Sequence, residues 1–401
     1  MTLKPFKAII PDLKYVEEVV APPYDVISEK EAREVYKTKK NTFLRIGRPE
    51  INFPEGTNPY SENVYKKAGE VIEEYLDKGI FKQLDKKVYL IYEQSTDYHK
   101  QVGIVGLASV EEYDNDSIKK HELTREDKEK DRTNHIIYTK SHAEPVFIAY
   151  RDSSVLNTII ESIISTTEPM FSFNSDGVLN RVWQVPDSIA ISIEVGFQEI
   201  KNFYIADGHH RAKASSLASK YFREKGYNGE HDLFMVVAFP ASQLKIMPYN
   251  RVIKSPIDIN KVLEQVKNNF DIQEYEFKVP EKKGEFIIYS KGKSYKMIYR
   301  GQKSSKVSEN LDVAILQRYI LDPIFGIKDP RKDKNIDFVG GIKGTEYLKE
   351  LVDIGEFDYA FSMYPTTIED LFTVSDSGEI MPPKSTWFEP KLKSGLFLHL
   401  F

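Results

Sequence analysis

Between Asn58 and Phe81 the apolar residues recur every three or four positions. Val64, Ala68, Val71, Ile72 and Leu76 fall on one face and Gly79 closes the run, so the spacing predicts an amphipathic helix. A second stripe, Ala32, Val35 and Tyr36, follows Ser28, a residue type suited to an N-cap. Elsewhere the pattern is strand-like. "FKAII" and "TFLRIGRPE" read as strands, the second stopped by proline, and "KVYLIYEQ" and "QVGIVGLASVEEY" flank a polar turn as a hairpin. Thr124 with Asp127 three residues on predicts a capping box, which opens a helix and leaves His121 and Glu122 in the loop before it.

The middle of the chain reads strand ("EPVFIAY"), helix ("VLNTIIESIIS") and short strand ("RVWQV"). Then come "NFYIA", a "DGHH" turn, the helix "RAKASSLASKYFREKG" and the strand "LFMVVAFP", in β-α-β order. Ala214, Leu217, Ala218 and Tyr221 are expected to form that helix's buried face. Beyond Pro256 the pattern gives a helix, "NKVLEQVKNNF", and a Lys-Gly-Lys hairpin; "LDVAILQRYILDPIFGI" returns to helix and "DYAFSMYP" to strand. "FVGGIKG" reads as a flexible turn ahead of the helix "TEYLKELV". The chain is therefore expected to be α+β, a mixed α/β architecture.

Composition narrows the function classes. With 41% hydrophobic and 29% charged residues the chain is ordinary globular protein, and a formal charge of -5 supplies no basic excess to attract nucleic acid. There is no cysteine, which excludes disulfides, thiolate metal sites and a cysteine nucleophile. That suits a cytoplasmic location, as does an N-terminus without the apolar run of a signal peptide or membrane span. No histidine pair has zinc-site spacing.

The densest chemistry is Asp207-Gly208-His209-His210-Arg211, at a strand-to-helix turn. Such a turn aims unpaired N–H groups outward, glycine lets an anion approach the backbone, and Arg211 offers a planar fork to phosphate or carboxylate. Asp207 suits a general base, a histidine partner or a Mg²⁺ ligand. The bland alternative is that Asp207 caps the helix and the other side chains are solvated.

"ADGHHR", "APPYDVI" (21–27), "KHELT" with "DR" (120–132) and "MPPKSTWFEPK" (381–391) together resemble the family called domain of unknown function 1015. "DGHHR" is also similar to the turn-helix motif of the ParB/sulfiredoxin superfamily, in which archaeal free-serine kinases use a His-His-Arg element. The resemblance implies that Gly208, His209, His210 and Arg211 bind phosphate and that Asp207 lies beside the reacting centre. It implies a nucleotide (ATP or ADP) and Mg²⁺ as cofactors and serine or phosphoserine as substrate. The domain reading is an N-terminal α/β region over 1–118, a ParB/sulfiredoxin-like unit over 119–254, a small α+β insertion over 255–300, and a C-terminal region over 301–401 returning to the core.

Three further constellations are candidates. Asp25, with Tyr24, follows two prolines that restrain it as a base or metal ligand. Glu122 suits a general base, with His121 beside it; Arg132 would neutralise a phosphate and Asp131 orient it. Lys384, Ser385 and Thr386 lack the glycines of a P-loop, and on the family resemblance a Pro-fixed strand delivers them as phosphate ligands. Lys391 and Lys393 read as surface residues, and His142 and Arg251 as weaker candidates. The expected activity is nucleotide-dependent phosphoryl transfer to a small hydroxyl metabolite, serine foremost. A phosphoserine phosphatase using the same parts, and a non-enzymatic nucleotide- or nucleic-acid-binding module, are the alternatives.

Overall fold

Nine strands and their covering helices build the first of two units in the computed structural model, which describes residues 1–401. This α+β unit comprises Met1–Lys120, Thr124–Leu244 and Pro390–Phe401; the second comprises His121–Leu123 and Lys245–Glu389.

The strands of the first unit are β1 (Leu3–Lys4), β2 (Leu90–Ser95), β3 (Lys100–Ser109), β4 (Ile118–Lys119), β5 (Val146–Tyr150), β6 (Phe171–Ser175), β7 (Val178–Gln184), β8 (Phe203–Asp207) and β9 (Leu233–Pro240). They lie in the order β4-β8-β5-β9-β3-β2-β7-β6, with β1 paired to β3. The main helices are α1 (Glu29–Thr38), α2 (Glu62–Asp77), α3 (Glu126–Thr139), α4 (Ser154–Thr166), α5 (Asp187–Gln198) and α6 (His209–Glu224). Ile104, Ile148, Ile205 and Val236 pack with Leu156 and Ile160 of α4 and Ile193 and Phe197 of α5, all nearly solvent-free.

The predicted hairpin is present as β2 and β3, paired antiparallel from Leu90 opposite Val105 to Ser95 opposite Lys100. Ser28 caps α1 in a full capping box with Glu31. Several expectations fail for local reasons. "TFLRIG" is a helical turn, Leu44–Gly47, with every residue buried, so it had no polar face to reveal its period. Thr124 caps nothing: α3 starts after Arg125 without a side-chain cap, and the Thr124 hydroxyl donates to Glu129 instead. The β-α-β order at the centre is not a parallel unit, because β5 lies between β8 and β9, antiparallel to the first and parallel to the second. The buried face of α6 is Ala212, Ala214, Ser215, Ala218, Ser219 and Phe222, while Tyr221 is exposed and Leu217 half-buried. These small residues let α3 come close, with Ile136 seated against Ala214, Ala218 and Phe222.

The second unit holds a six-stranded sheet of β10 (Tyr249–Ile253), β11 (Phe270–Glu274), β12 (Glu285–Ser290), β13 (Lys293–Tyr299), β14 (Ile336–Gly340) and β15 (Tyr359–Met363), ordered β11-β13-β12-β15-β10-β14. The hairpin read at Lys-Gly-Lys is β12–β13, and its turn has φ of 46° at Lys291 and 82° at Gly292, the positive pair of a tight hairpin turn. Val252, Ile287 and Ala360 of this sheet pack against Leu348, Leu351 and Val352 of α7 (Gly344–Asp353). Between Asp312 and Phe325 the helix passes through one π turn, Gln317–Leu321. No helix of the chain is long and apolar enough to cross a membrane.

Candidate anion-binding site

The pairing of β8 with β5 slips between Ile205 and Asp207, a bulge that re-aims the strand end. Gly208 follows with φ 93°, a left-handed conformation that disfavours any side chain. A Cβ there would also lie 2.9 Å from Arg211 Nε, because the guanidinium packs against the glycine. No side chain caps α6; Asp207 Oδ1 accepts the Gly208 N–H at 2.8 Å instead. The first intrahelical bond runs from Ala212 N–H to the Gly208 carbonyl at 3.0 Å, so the N–H groups before Ala212 lie outside the helix ladder at the positive end of the dipole. Gly208→Ala is expected to destabilise the protein by about 1–3 kcal/mol, from backbone strain and displacement of Arg211, read as a lowered urea midpoint.

Arg211 is buried, donates through Nη1 to the Pro145 carbonyl, and its Nε has no partner. Asp207 Oδ2 pairs with Lys391 Nζ at 2.9 Å, and the Lys391 carbonyl is fixed by Gln94 Nε2 at 3.0 Å. Lys391 and Lys393 are thus not the surface residues expected of them: Lys391 is mostly buried on Asp207, and Lys393 is buried and paired with Asp176.

The close packing of α3 on α6 brings in a second arginine. Arg132 Nε donates to Asp131 Oδ2 at 3.0 Å and Nη1 to the Gly47 carbonyl at 3.3 Å, and its plane lies over the Tyr24 ring at 4.1 Å. Asp131 is held in turn by the Tyr65 hydroxyl at 2.9 Å. The loop carrying Tyr24 is clamped at both ends: Arg48 Nε donates to the Tyr24 carbonyl at 2.9 Å, and Ala21 pairs with Ser394 of the C-terminal tail. Glu144 Oε1 accepts from the Tyr24 N–H at 3.3 Å and from the Ser394 hydroxyl. Gly47, Arg132, His135, Glu144, Arg211 and Ser215 help line a cavity of about 30 Å³.

Two carboxylates are driven apart by these surroundings. Burial pulls Asp207 up, but Lys391, Arg211 and His209 outweigh it and hold its carboxyl well below the usual range. Burial lifts Glu144, and the opposing pull of Arg211, Ser394 and Arg132 does not cancel that rise. Burial also raises the Tyr24 hydroxyl and lowers His210, whose Nε2 accepts the Arg125 N–H at 3.1 Å and so belongs to a neutral ring. Arg132 and Arg211 resist the same burial through Asp131 and Asp207 respectively and remain charged.

Of the residues singled out from sequence, Tyr24, Asp25, Asp131, Arg132, Asp207, Gly208, His209, His210 and Arg211 belong to the first unit. Asp25 is exposed, and its charge acts on His210, Arg211 and Tyr24. His121, Glu122, Lys384, Ser385 and Thr386 belong to the second unit. There the His121 carbonyl accepts the Met381 N–H at 2.9 Å and Thr386 Oγ1 lies 3.4 Å from His121 Nε2, so the "KHELT" and "PPKST" motifs meet each other. The Ser385 hydroxyl is used locally, on the Pro382 carbonyl at 2.6 Å. Both oxygens of Asp207 are engaged, by Gly208 N–H and Lys391, so a Mg²⁺ there would have to displace the lysine. Sequence reasoning missed Glu144 and Lys391. The only signal for Glu144 was its place beside His142 and before Pro145, and Lys391 had none beyond its motif.

The family profile DUF1015, described as a protein of unknown function, matches residues 3–314. The chain belongs to this family. No curated protein matches the chain. Solved structures similar to this DUF1015 protein include a conserved hypothetical protein from Pyrococcus furiosus, 20% identical over 73% of this chain and 95% of that one, with a TM-score of 0.34. A free serine kinase in complex with AMP is 16% identical over 73% and 92%, with a TM-score of 0.36. SbnI from Staphylococcus aureus, truncated at its C-terminus, is 12% identical over 74% and 87%, with a TM-score of 0.39. At such scores these likenesses carry no residue-level correspondence to the DUF1015 chain.

Proposed function

We propose that the first unit of this DUF1015 protein is a nucleotide-dependent phosphotransferase acting on a small hydroxyl metabolite, serine foremost. One observation carries the reading: the uncapped start of α6, on which the buried Arg211 guanidinium packs with its Nε unpartnered. A helix start with its positive dipole end and a planar cation at one place are what a phosphate group needs. Serine as acceptor and ATP or ADP as donor follow the resemblance of the "DGHHR" motif to free-serine kinases.

In this reading the transferred phosphate rests on the positive start of α6 and on Arg211, with Arg132 adding positive charge. The acceptor hydroxyl attacks phosphorus, the bond from phosphorus to the nucleotide oxygen breaks, and the hydroxyl proton passes to a carboxylate. Asp207, held low, is a weak proton acceptor; Glu144, held high, is the better one. Phosphoryl transfer asks mainly for positioning and charge stabilisation, which this arrangement offers. Asp207 does not present an unengaged carboxylate to Mg²⁺, and no step is assigned to a metal.

Binding provides the test. ADP titrated into the protein should bind, and Arg211→Ala should weaken it by at least tenfold, the worth of one charge-assisted contact of about 1.5 kcal/mol. Failure of ADP, ATP and pyrophosphate all to bind would remove the reading. Phosphoserine converted to serine and phosphate without nucleotide would favour the phosphatase.

A further inference from the structure

The second unit contains the larger cavity, about 330 Å³, lined by Arg251, Val313, Leu321, Phe338, Pro382 and Pro383 among others. That volume is in the range of small-molecule sites. Its lining combines apolar side chains with Gln317, Lys328, Asp329 and Arg331, and with one buried cation, Arg251. Arg251 is 3% exposed, its Nη1 donates to the Tyr249 carbonyl and its Nη2 to the Lys384 carbonyl at 3.0 Å, and its guanidinium lies 5.3 Å from the Phe338 ring centre.

No carboxylate offsets that charge. Burial lowers Arg251 to about 10, and only the neighbouring Tyr249 opposes that fall. A buried cation without a counter-charge is costly, and a bound anion would offset that cost. At the rim Arg331 is already neutralised by Asp329, at 2.9 Å, which leaves Lys328 as the additional cation. The wall between Val313 and Leu321 includes the π turn at Gln317–Leu321, a geometry that recurs at functional sites. The opposite wall is Pro382–Pro383, the start of the "PPKST" motif, whose rigid backbone places the Lys384 carbonyl on Arg251.

We propose that this cavity binds a small organic monocarboxylate with an apolar body, its carboxylate on Arg251 and its body against Val313, Leu321 and Phe338. One buried guanidinium matches one negative charge, and the apolar walls match a hydrocarbon or aromatic group rather than an inorganic ion. The cavity belongs to the second unit and the proposed phosphate site to the first, so either can fail alone.

The test uses the full chain and phenylacetate as probe, followed by ligand-observed NMR and calorimetry, with phenylacetamide as the uncharged match. Phenylacetate is expected to bind at least tenfold tighter than phenylacetamide, a comparison made on the wild-type protein and independent of any variant. Arg251→Lys keeps a positive charge while removing the fork, and should weaken phenylacetate at least tenfold with ADP binding unchanged. Equal binding of acid and amide, undiminished binding to Arg251→Lys, no binding at millimolar concentrations, or full displacement by equimolar inorganic phosphate would each overturn the proposal.

Discussion

Replacing Arg211 with lysine is expected to lower kcat/KM for phosphoryl transfer by about 10²-fold, the loss typical of removing one preorganised donor from developing charge. Lysine keeps the positive charge but not the planar fork. In the native site that fork is locked on one side by the Pro145 carbonyl and on the other by contact with Gly208, which leaves Nε without a protein partner. An ammonium on a flexible stem satisfies Asp207 and Glu144 electrostatically but cannot offer two parallel N–H groups to a phosphate. Asp207 also retains Lys391, so the fold should survive. The loss should fall mainly on kcat, with circular dichroism and the urea midpoint nearly unchanged. A variant that unfolds would instead mark Arg211 as a structural residue.

Glu144→Gln is expected to lower kcat by about 10²–10⁴-fold, the usual range for a general base. The amide preserves size and can still accept from Tyr24 N–H and Ser394, so the lost element is proton affinity. The wild-type pH profile carries the signature. Burial raises Glu144, so the base is protonated at pH values where an ordinary carboxylate is ionised, and activity should climb through a limb displaced above the usual carboxylate range. The stability sign is opposite. A raised carboxyl contributes stability that is fully present below its unfolded value and lost as pH rises through the folded one. Glu144→Gln should therefore remove the acidic limb of activity and gain stability relative to wild type above that range.

Much of the fold could be read from spacing, and the exceptions have physical causes. α2 has one buried and one wet face, so its period survives in the sequence, while the β2–β3 hairpin, buried on both faces, is marked by the polar turn between two apolar runs. The turn at Leu44–Gly47 is buried on every side and has no period to show. Asp187–Gln198 escaped notice because "SIAISIEV" alternates apolar and polar residues like a strand, yet it folds as a helix around Ile193, Gly196 and Phe197. Segment 255–300 has its own turn signals, but its strands pair into the sheet that includes β10 and β15, and such long-range pairing leaves no local mark.

The site was legible where it is local. The strand-to-helix turn and its glycine are written in five residues, 207–211, whereas the bulge between Ile205 and Asp207 and the absence of a side-chain cap are not. What those residues lean on is not local. Lys391 reaches Asp207 across 184 positions, and Ser394 reaches Glu144 across 250. A lysine among lysines in "KLK" carries no sign of a buried partner, and the same holds for a glutamate before a proline.

The central claim is tested most directly by phosphorus NMR of the purified protein with serine and, in turn, ATP, ADP and pyrophosphate, with and without Mg²⁺. The account predicts that a phosphomonoester signal appears with at least one donor and that Arg211→Lys and Glu144→Gln suppress it. No phosphomonoester from any donor, or a signal that both variants leave unchanged, would contradict it.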